Sequence, residues 1–318
     1  MKRKDFLQKS AVLGAGLMVP FFRPKNIWAR AEKVIKLSVL HTNDTHAQID
    51  PLPASAEPYA GMGGFARRAA LVKKIRVENP NTLLLDAGNA MQGSSYYDFY
   101  DGSLSYKLMS KLGYDAATIG DDDFANGVDE LAEALHSANF PVLCSNYDFG
   151  STPLNDMIKR YVIREFGPLK VGIFGLGIDL EDQVPETRWQ GIRMRDTVLV
   201  AQGMVRLLRS YKNCDMVICI SHLGYKYDDQ DRLSDLKLAQ QVDDIDLIVG
   251  GHTETFMKQP KIIEKKDGTF TVINQAGYRG IMLGQVTFEF DRKRHKILGI
   301  VSNNTGIKAR KTMENQSG

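Results

Sequence analysis

His41-Thr42-Asn43-Asp44-Thr45-His46 follows directly on an apolar run, Val34–Leu40. A carboxylate and an imidazole two residues apart, just past a strand, can both point at one cation, and that donor pair suits Mn, Fe or Zn. The same residues also read as an Asx-turn beside a surface histidine, so Asp44 and His46 alone decide nothing. Four further segments stand where a strand pattern gives way to a loop: Asp86-Ala87-Gly88-Asn89, Gly120-Asp121-Asp122-Asp123, Ser221-His222-Leu223-Gly224 and Gly250-Gly251-His252-Thr253-Glu254. Of six histidines, four (His41, His46, His222 and His252) occupy such positions, whereas His136 falls in a helical pattern and His295 in a basic turn. Ligands of open α/β folds bind at the carboxyl ends of strands, which makes these loops the place to look. The three cysteines form no C-x-x-C, so a thiolate metal site is not expected; Cys144 and Cys219 sit in apolar runs and read as buried strand residues.

The elements that must position these loops are short apolar runs alternating with helical patterns. Strands are expected at Val34–Leu40, Thr82–Leu85, Ala116–Ile119, Val142–Cys144, Met216–Ser221 and Leu247–Gly250. Helices are expected at Phe65–Val77, Ser103–Leu112, Gly127–Ala138, Thr197–Tyr211 and Leu236–Val242. Tyr161–Glu165 and Leu169–Leu176 form a hairpin pattern around Gly167-Pro168. The C-terminal part reads as β-rich, with Lys261–Glu264, Thr269–Asn274, Leu283–Phe290 and Ile297–Ser302. Strand–helix alternation argues for a layered α/β domain, and the hairpins argue for mixed rather than purely parallel sheets.

Taken in order, the blocks resemble the catalytic domain of the 5'-nucleotidase branch of the metallophosphoesterases, the calcineurin-like phosphoesterases. His41–His46 matches H-T-N-D-x-H, Gly63-Gly64-Phe65-Ala66-Arg67-Arg68 the Gly-Gly start of the first helix, and Leu84–Gly93 L-L-D-A-G-D-x-x-Q-G. Gly120–Phe124 stands where the family has G-N-H-E-F, Ser221–Gly224 matches S-H-L-G, and Gly250–Thr255 matches G-G-H-T-x-T, followed by Gln275-Ala276-Gly277. Several blocks in one order are far more specific than any single block. The resemblance implies a layered sandwich of two mixed β-sheets flanked by helices, with two metals over the strand ends. It places one metal on Asp44, His46 and Glu254, and the other on Asp121, His222 and His252.

The departures from the family pattern bear on activity. The resemblance puts the carboxylate that bridges the metals at Asn89, and an Asn ligand at Asp121. A His and a later Asp that assist phosphate transfer fall on Asp122 and Ala125. Without the bridge each metal position keeps three protein ligands, and three ligands plus water make a workable catalytic site. A neutral amide at Asn89 is a poor bridge, so at least one divalent ion (Mn, Zn or Fe) is expected and a second is expected to bind weakly or not at all. Carboxylates crowded at about 4 Å repel by roughly 4 kcal/mol at an effective dielectric of 20, so the cluster needs cations or protons. Loss of a general acid alone costs about 10²–10⁴-fold in rate. Asp122 can replace it only if acidic neighbours raise its pKa. Two readings follow: a hydrolase of phosphate monoesters, nucleotide-type, with weak or altered activity; or a non-catalytic metal- or ligand-binding module of the same fold.

Composition bounds the rest. With 43% hydrophobic and 25% charged residues the chain is of globular type, and no apolar run is long enough for an ordinary membrane-spanning helix. The net charge of +3 is concentrated before Glu32: residues 1–31 carry seven Lys/Arg against one Asp. The remainder is slightly acidic, which removes the compositional case for nucleic-acid binding. Lys2-Arg3-Lys4, the apolar run Ala11–Phe22 and Ala29-Arg30-Ala31 have the order of an export signal, and Arg3-Lys4-Asp5-Phe6-Leu7 resembles the twin-arginine motif. The expectation is therefore an exported protein, periplasmic or in the cell envelope, with a signal over residues 1–31 and one metallophosphoesterase-like domain over residues 32–318. It has no membrane span once the signal is removed. Nothing after Ser302 resembles the base-stacking C-terminal domain of full-length 5'-nucleotidases, so nucleoside recognition is expected to come from a separate chain or not to occur. Residues 314–318 read as a frayed tail.

Overall fold

The computed structural model of the chain describes residues 34–309 apart from Asp182 and Gln230; the expected export signal and tail lie outside the described residues. In chain order the elements begin with strand β1 (Val34–Thr42), helix α1 (Phe65–Glu78), strand β2 (Thr82–Asp86), and helices α2 (Ser95–Tyr100) and α3 (Ser103–Leu112). Strand β3 (Ala116–Ala117), helix α4 (Val128–Leu135), and strands β4 (Val142–Leu143), β5 (Tyr147–Asp148) and β6 (Ile158–Lys159) follow. Next come the hairpin β7 (Tyr161–Phe166) and β8 (Leu169–Leu176), then β9 (Arg193–Met194), α5 (Thr197–Arg206), β10 (Met216–Ser221), α6 (Asp235–Gln241) and β11 (Leu247–Gly250). Strands β12 (Lys261–Glu264), β13 (Phe270–Asn274), β14 (Met282–Asp291), β15 (Ile297–Ser302) and β16 (Thr305–Gly306) close the chain.

Two mixed sheets result, as the strand–helix alternation and terminal hairpins require. The first runs β15-β14-β1-β2-β3-β4-β6, with β16 also on β14; the second runs β12-β13-β11-β10-β8-β7. β1 to β4 and β6 are parallel, as are β8, β10, β11 and β13, while β14, β15, β12 and β7 join antiparallel. The two-residue period of a strand explains the layers. Leu83 and Leu85 of β2 join Ile218 and Ile220 of β10 in the core between the sheets. Leu84 faces the other way, onto Val72 and Ile75 of α1 and Tyr106 of α3. On the far side, Val217 and Cys219 of β10 pack on Met204 of α5 and Leu238 of α6. Each fully buried Leu or Ile contributes about 1.5–3 kcal/mol relative to exposure, and three such layers hold the strand ends in register.

Several elements differ from the sequence expectation. β3 runs only to Ala117; Thr118 N still donates to Asp86 O of β2, and its hydroxyl donates to Leu143 O. α4 stops at Leu135, where His136, Ser137 and Ala138 each bond three residues back instead of four. α5 passes into a wider turn at Leu207–Tyr211. His41 is the penultimate residue of β1, still paired and fully buried opposite Gly284, with Nε2 2.8 Å from Asn274 Nδ2. Burial lowers its pKa to about 3, so it is a neutral packing residue. Cys144 and Cys219 are buried and free, and so is Cys214. Among the described residues no helix is long and apolar enough to cross a membrane.

Candidate metal centre

The parallel strands β1, β2 and β3 of one sheet and β10 and β11 of the other deliver their carboxyl ends to one place. Asp44 and His46 follow β1, Asn89 follows β2, Asp121 and Asp122 follow β3, His222 follows β10, and His252 and Glu254 follow β11. The loops after β1 and β2 stay zipped beyond the sheet: Asp44 N donates to Gly88 O, His46 N to Asn89 O and Ala47 N to Ala90 O, at 2.9–3.0 Å. Asp44, His46, Asn89, His252 and Glu254 all hold left-handed backbone, with φ from 48° to 68°. Such conformations cost of order 1–3 kcal/mol each outside glycine and gather at functional sites.

Asp121, His222 and His252 converge. Asp121 Oδ1 lies 3.0 Å from His222 Nε2 and 3.0 Å from His252 Nδ1. Among the described residues these three form a group whose ligand atoms all lie within 4.8 Å of one another. One carboxylate oxygen and two imidazole nitrogens gathered in this way are a donor set that suits a Mn, Fe or Zn ion. His222 Nδ1 bonds Ala87 O, which turns Nε2 into the site; metal-binding histidines are usually oriented in this way. A Cβ on Gly120 would overlap both His222 Nε2 and Asn89 Oδ1, so only glycine lets this loop pass. Burial lowers the His222 pKa, but the Asp121 and Asp44 carboxylates outweigh it and raise it to about 10. Burial would raise Asp121, and its bonds to the two imidazoles instead hold it well below the usual carboxylate range. The cluster is thus organised around positive charge.

The other expected set is looser. His46 Nε2 is 3.0 Å from Glu254 Oε1, and its Nδ1 faces Gln92 O at 3.1 Å and Asp122 Oδ2 at 3.7 Å. Asp44 is fully buried; its Oδ1 accepts from His252 N at 3.2 Å and lies 3.8 Å from His222 Nε2, while Asn43 Nδ2 donates to Oδ2 at 2.7 Å. The site is graded, with Asp44 and His222 on the floor and the side chains of Asp122 and Glu254, 43% and 42% exposed, on the rim.

Asn89 shows what replaces a bridging carboxylate. Asp122 N–H can only donate, and it donates to Asn89 Oδ1 at 3.0 Å. The amide nitrogen therefore points at Asp121 Oδ1 (3.3 Å) and Asp122 Oδ2 (3.4 Å). Asn89 offers N–H to the acidic cluster instead of an oxygen to be shared. Asp122 stands on the rim with its pKa raised, by burial first and by the Asp121 charge second. Ala125 brings no polar atom.

Sequence reasoning missed Asp123, which reads as one more charge in an acidic run. It is buried, and its carboxylate accepts from Gly120 N (2.9 Å), Asn89 N (3.0 Å), Ala90 N (3.1 Å) and Met91 N (3.1 Å). That clamp joins the loops after β2 and β3. Unpaired buried N–H groups cost about 1–3 kcal/mol each, so Asp123→Ala is expected to lose about 3 kcal/mol or more in urea unfolding. Asp123→Asn, which keeps one acceptor, is expected to lose less; equal stability of the alanine variant and the parent would refute the clamp.

Comparison with known proteins agrees with this geometry. Residues 37–255 match the family model of the calcineurin-like phosphoesterases. A snake venom 5'-nucleotidase of Gloydius brevicauda is 32% identical over 282 residues, covering 82% of this chain and 46% of that protein. A trifunctional nucleotide phosphoesterase of Bacillus subtilis is 28% identical over 289 residues, covering 81% of this chain and 18% of its own length. The chain thus spans half or less of these curated relatives. The crystal structure of a 5'-nucleotidase precursor from Thermus thermophilus superposes with a TM-score of 0.75 at 29% identity, covering 86% of this chain and 55% of that one. By the family match, the order of its strands and the convergence at their ends, the chain belongs to the calcineurin-like phosphoesterases, as a 5'-nucleotidase-like metallophosphoesterase domain.

Proposed function

We propose that this is an exported, metal-dependent phosphoesterase that hydrolyses phosphate monoesters of the nucleotide type, slowly. The observation that carries the reading is the convergence of Asp121, His222 and His252 on one point, with Asp44, His46 and Glu254 beside it. A divalent cation held there would supply water of lowered pKa and neutralise phosphoryl oxygens. The chain's own part is to fix Asp121 through Asn89, to orient His222 through Ala87 O, and to present Asp122 at the rim as the group able to hold a proton near a leaving oxygen. Export rests on the order of basic, apolar and small residues before Glu32, and nucleotide-type substrates on the activities for which the relatives are named.

Asn89 and Ala125 favour a second reading, a binding module that keeps the fold and one cation without turnover. One experiment separates the two: phosphate release from adenosine monophosphate by the protein loaded with Mn, with metal content measured on the same sample. Slow release abolished by a chelator is expected. Bound metal with no release above background would favour the binding module.

A further inference from the structure

Beside the proposed centre stands a cation that, among the described residues, has no counter-ion. Arg232 is half-buried, in the segment between His222 and α6. Its guanidinium lies 4.0 Å above the centre of the Tyr227 ring, and its Nη2 is 3.4 Å from His252 Nε2. Tyr227 is itself fixed, its hydroxyl donating to Leu223 O at 2.7 Å, and Lys237 Nζ donates to the Arg232 carbonyl at 2.8 Å. Among the described residues no carboxylate lies within the 4.0 Å of an ion pair with Arg232, although the loop is acidic. Asp229 turns its Oδ1 to Asp231 N at 2.8 Å. Neither a phenol ring nor an imidazole neutralises a guanidinium. A planar fork of five donors, held over the Tyr227 ring and without an anion among the described residues, is suited to take oxygen atoms in pairs.

We propose that Arg232 anchors the phosphoryl group of the substrate, binding non-bridging oxygens of a phosphate carried at the Asp121–His222–His252 centre. The inference rests on the metal-phosphoesterase reading and adds to it a specificity-determining residue on the His252 side of the centre. Charge-assisted hydrogen bonds of this kind make Arg232→Ala weaken phosphate binding by about 10- to 100-fold. Arg232→Lys keeps the charge but loses the fork and the stack, so its loss is intermediate.

The test is calorimetric titration of inorganic phosphate into the Mn-loaded full chain, with Mn binding measured separately for the parent, Arg232→Ala and Arg232→Lys. The expected result is unchanged Mn affinity with phosphate affinity falling in the order parent, lysine, alanine, and in turnover a rise in KM larger than the fall in kcat. Unchanged phosphate affinity in Arg232→Ala overturns the proposal while leaving the phosphoesterase reading in place. Loss of Mn affinity in both variants also overturns it, because Arg232 would then be supporting His252. A parent protein that holds Mn yet binds no phosphate and releases none from adenosine monophosphate overturns both.

Discussion

His252→Ala is expected to weaken Mn or Zn binding by at least about 100-fold, while Asn89→Ala stays within a few-fold of the parent. The asymmetry follows from what each side chain presents. His252 places Nδ1 3.0 Å from Asp121 Oδ1 and so supplies one of three ligand atoms. Losing one of three leaves two, too few for a protein metal site. Asn89 presents N–H to the same carboxylate and contributes alignment only. Binding should also strengthen as pH rises. Without a cation the carboxylates hold the His222 pKa at about 10, so at neutral pH an ion must displace a proton from that imidazole. Affinity therefore falls as pH is lowered, and proton release should accompany binding in weakly buffered solution. Isothermal titration with each variant checks both statements. Metal loss from Asn89→Ala alone would mean that the amide oxygen, and not its nitrogen, faces the ion.

The second large effect is a gain. The fourfold variant Asn89→Asp, Asp121→Asn, Asp122→His, Ala125→Asp is expected to release phosphate from nucleoside monophosphates at least about 100-fold faster than the parent, with Mn in excess. Each single change is expected to do almost nothing. Asn89→Asp alone sets a second carboxylate against Asp121 Oδ1, where the amide nitrogen now donates at 3.3 Å. Reversing position 121 as well restores that hydrogen bond with its polarity inverted, and places the charge where two ions can share it. The last two changes supply a proton-handling pair, worth about 10²–10⁴-fold. Groups acting as one unit are strongly non-additive, which is why the set must move together. Brisk hydrolysis by the parent would sink the idea, and no gain in the fourfold variant with metal confirmed bound would mean that another lost group limits the chemistry.

The strands were legible because their cores are written as β-branched and leucine runs with abrupt polar ends: Met216–Ser221 and Leu247–Gly250 have the expected bounds. The site was legible as a set of strand ends, since each block carries its polar residues just past such a run. Side-chain direction was not. Asn89 could not be known to offer nitrogen until the Asp122 N–H was seen to claim its oxygen. Asp123 hid in an acidic run because only the fold brings four backbone amides to one carboxylate. His41 misled because a strand pattern does not show that its last residues still pair with β14. Helix α2 went unseen because Ser95–Tyr100, with Phe99 and Tyr100 exposed, has no apolar periodicity.

The proposed ligands come from opposite halves of the sandwich: Asp121 hangs from the first sheet, and His222 and His252 from the second. Between the halves lies an apolar layer, flanked by a few polar contacts that cross from one sheet to the other, His41 with Asn274 and His295 with Asp215 among them. A cation at the junction would be a clasp across that seam. Its binding energy would count toward holding the halves in one alignment, at about 2.7 kcal/mol when free metal stands at a hundred times its dissociation constant. The rigidity of the protein, and not its chemistry alone, would then follow the supply of transition metal in the compartment where it resides.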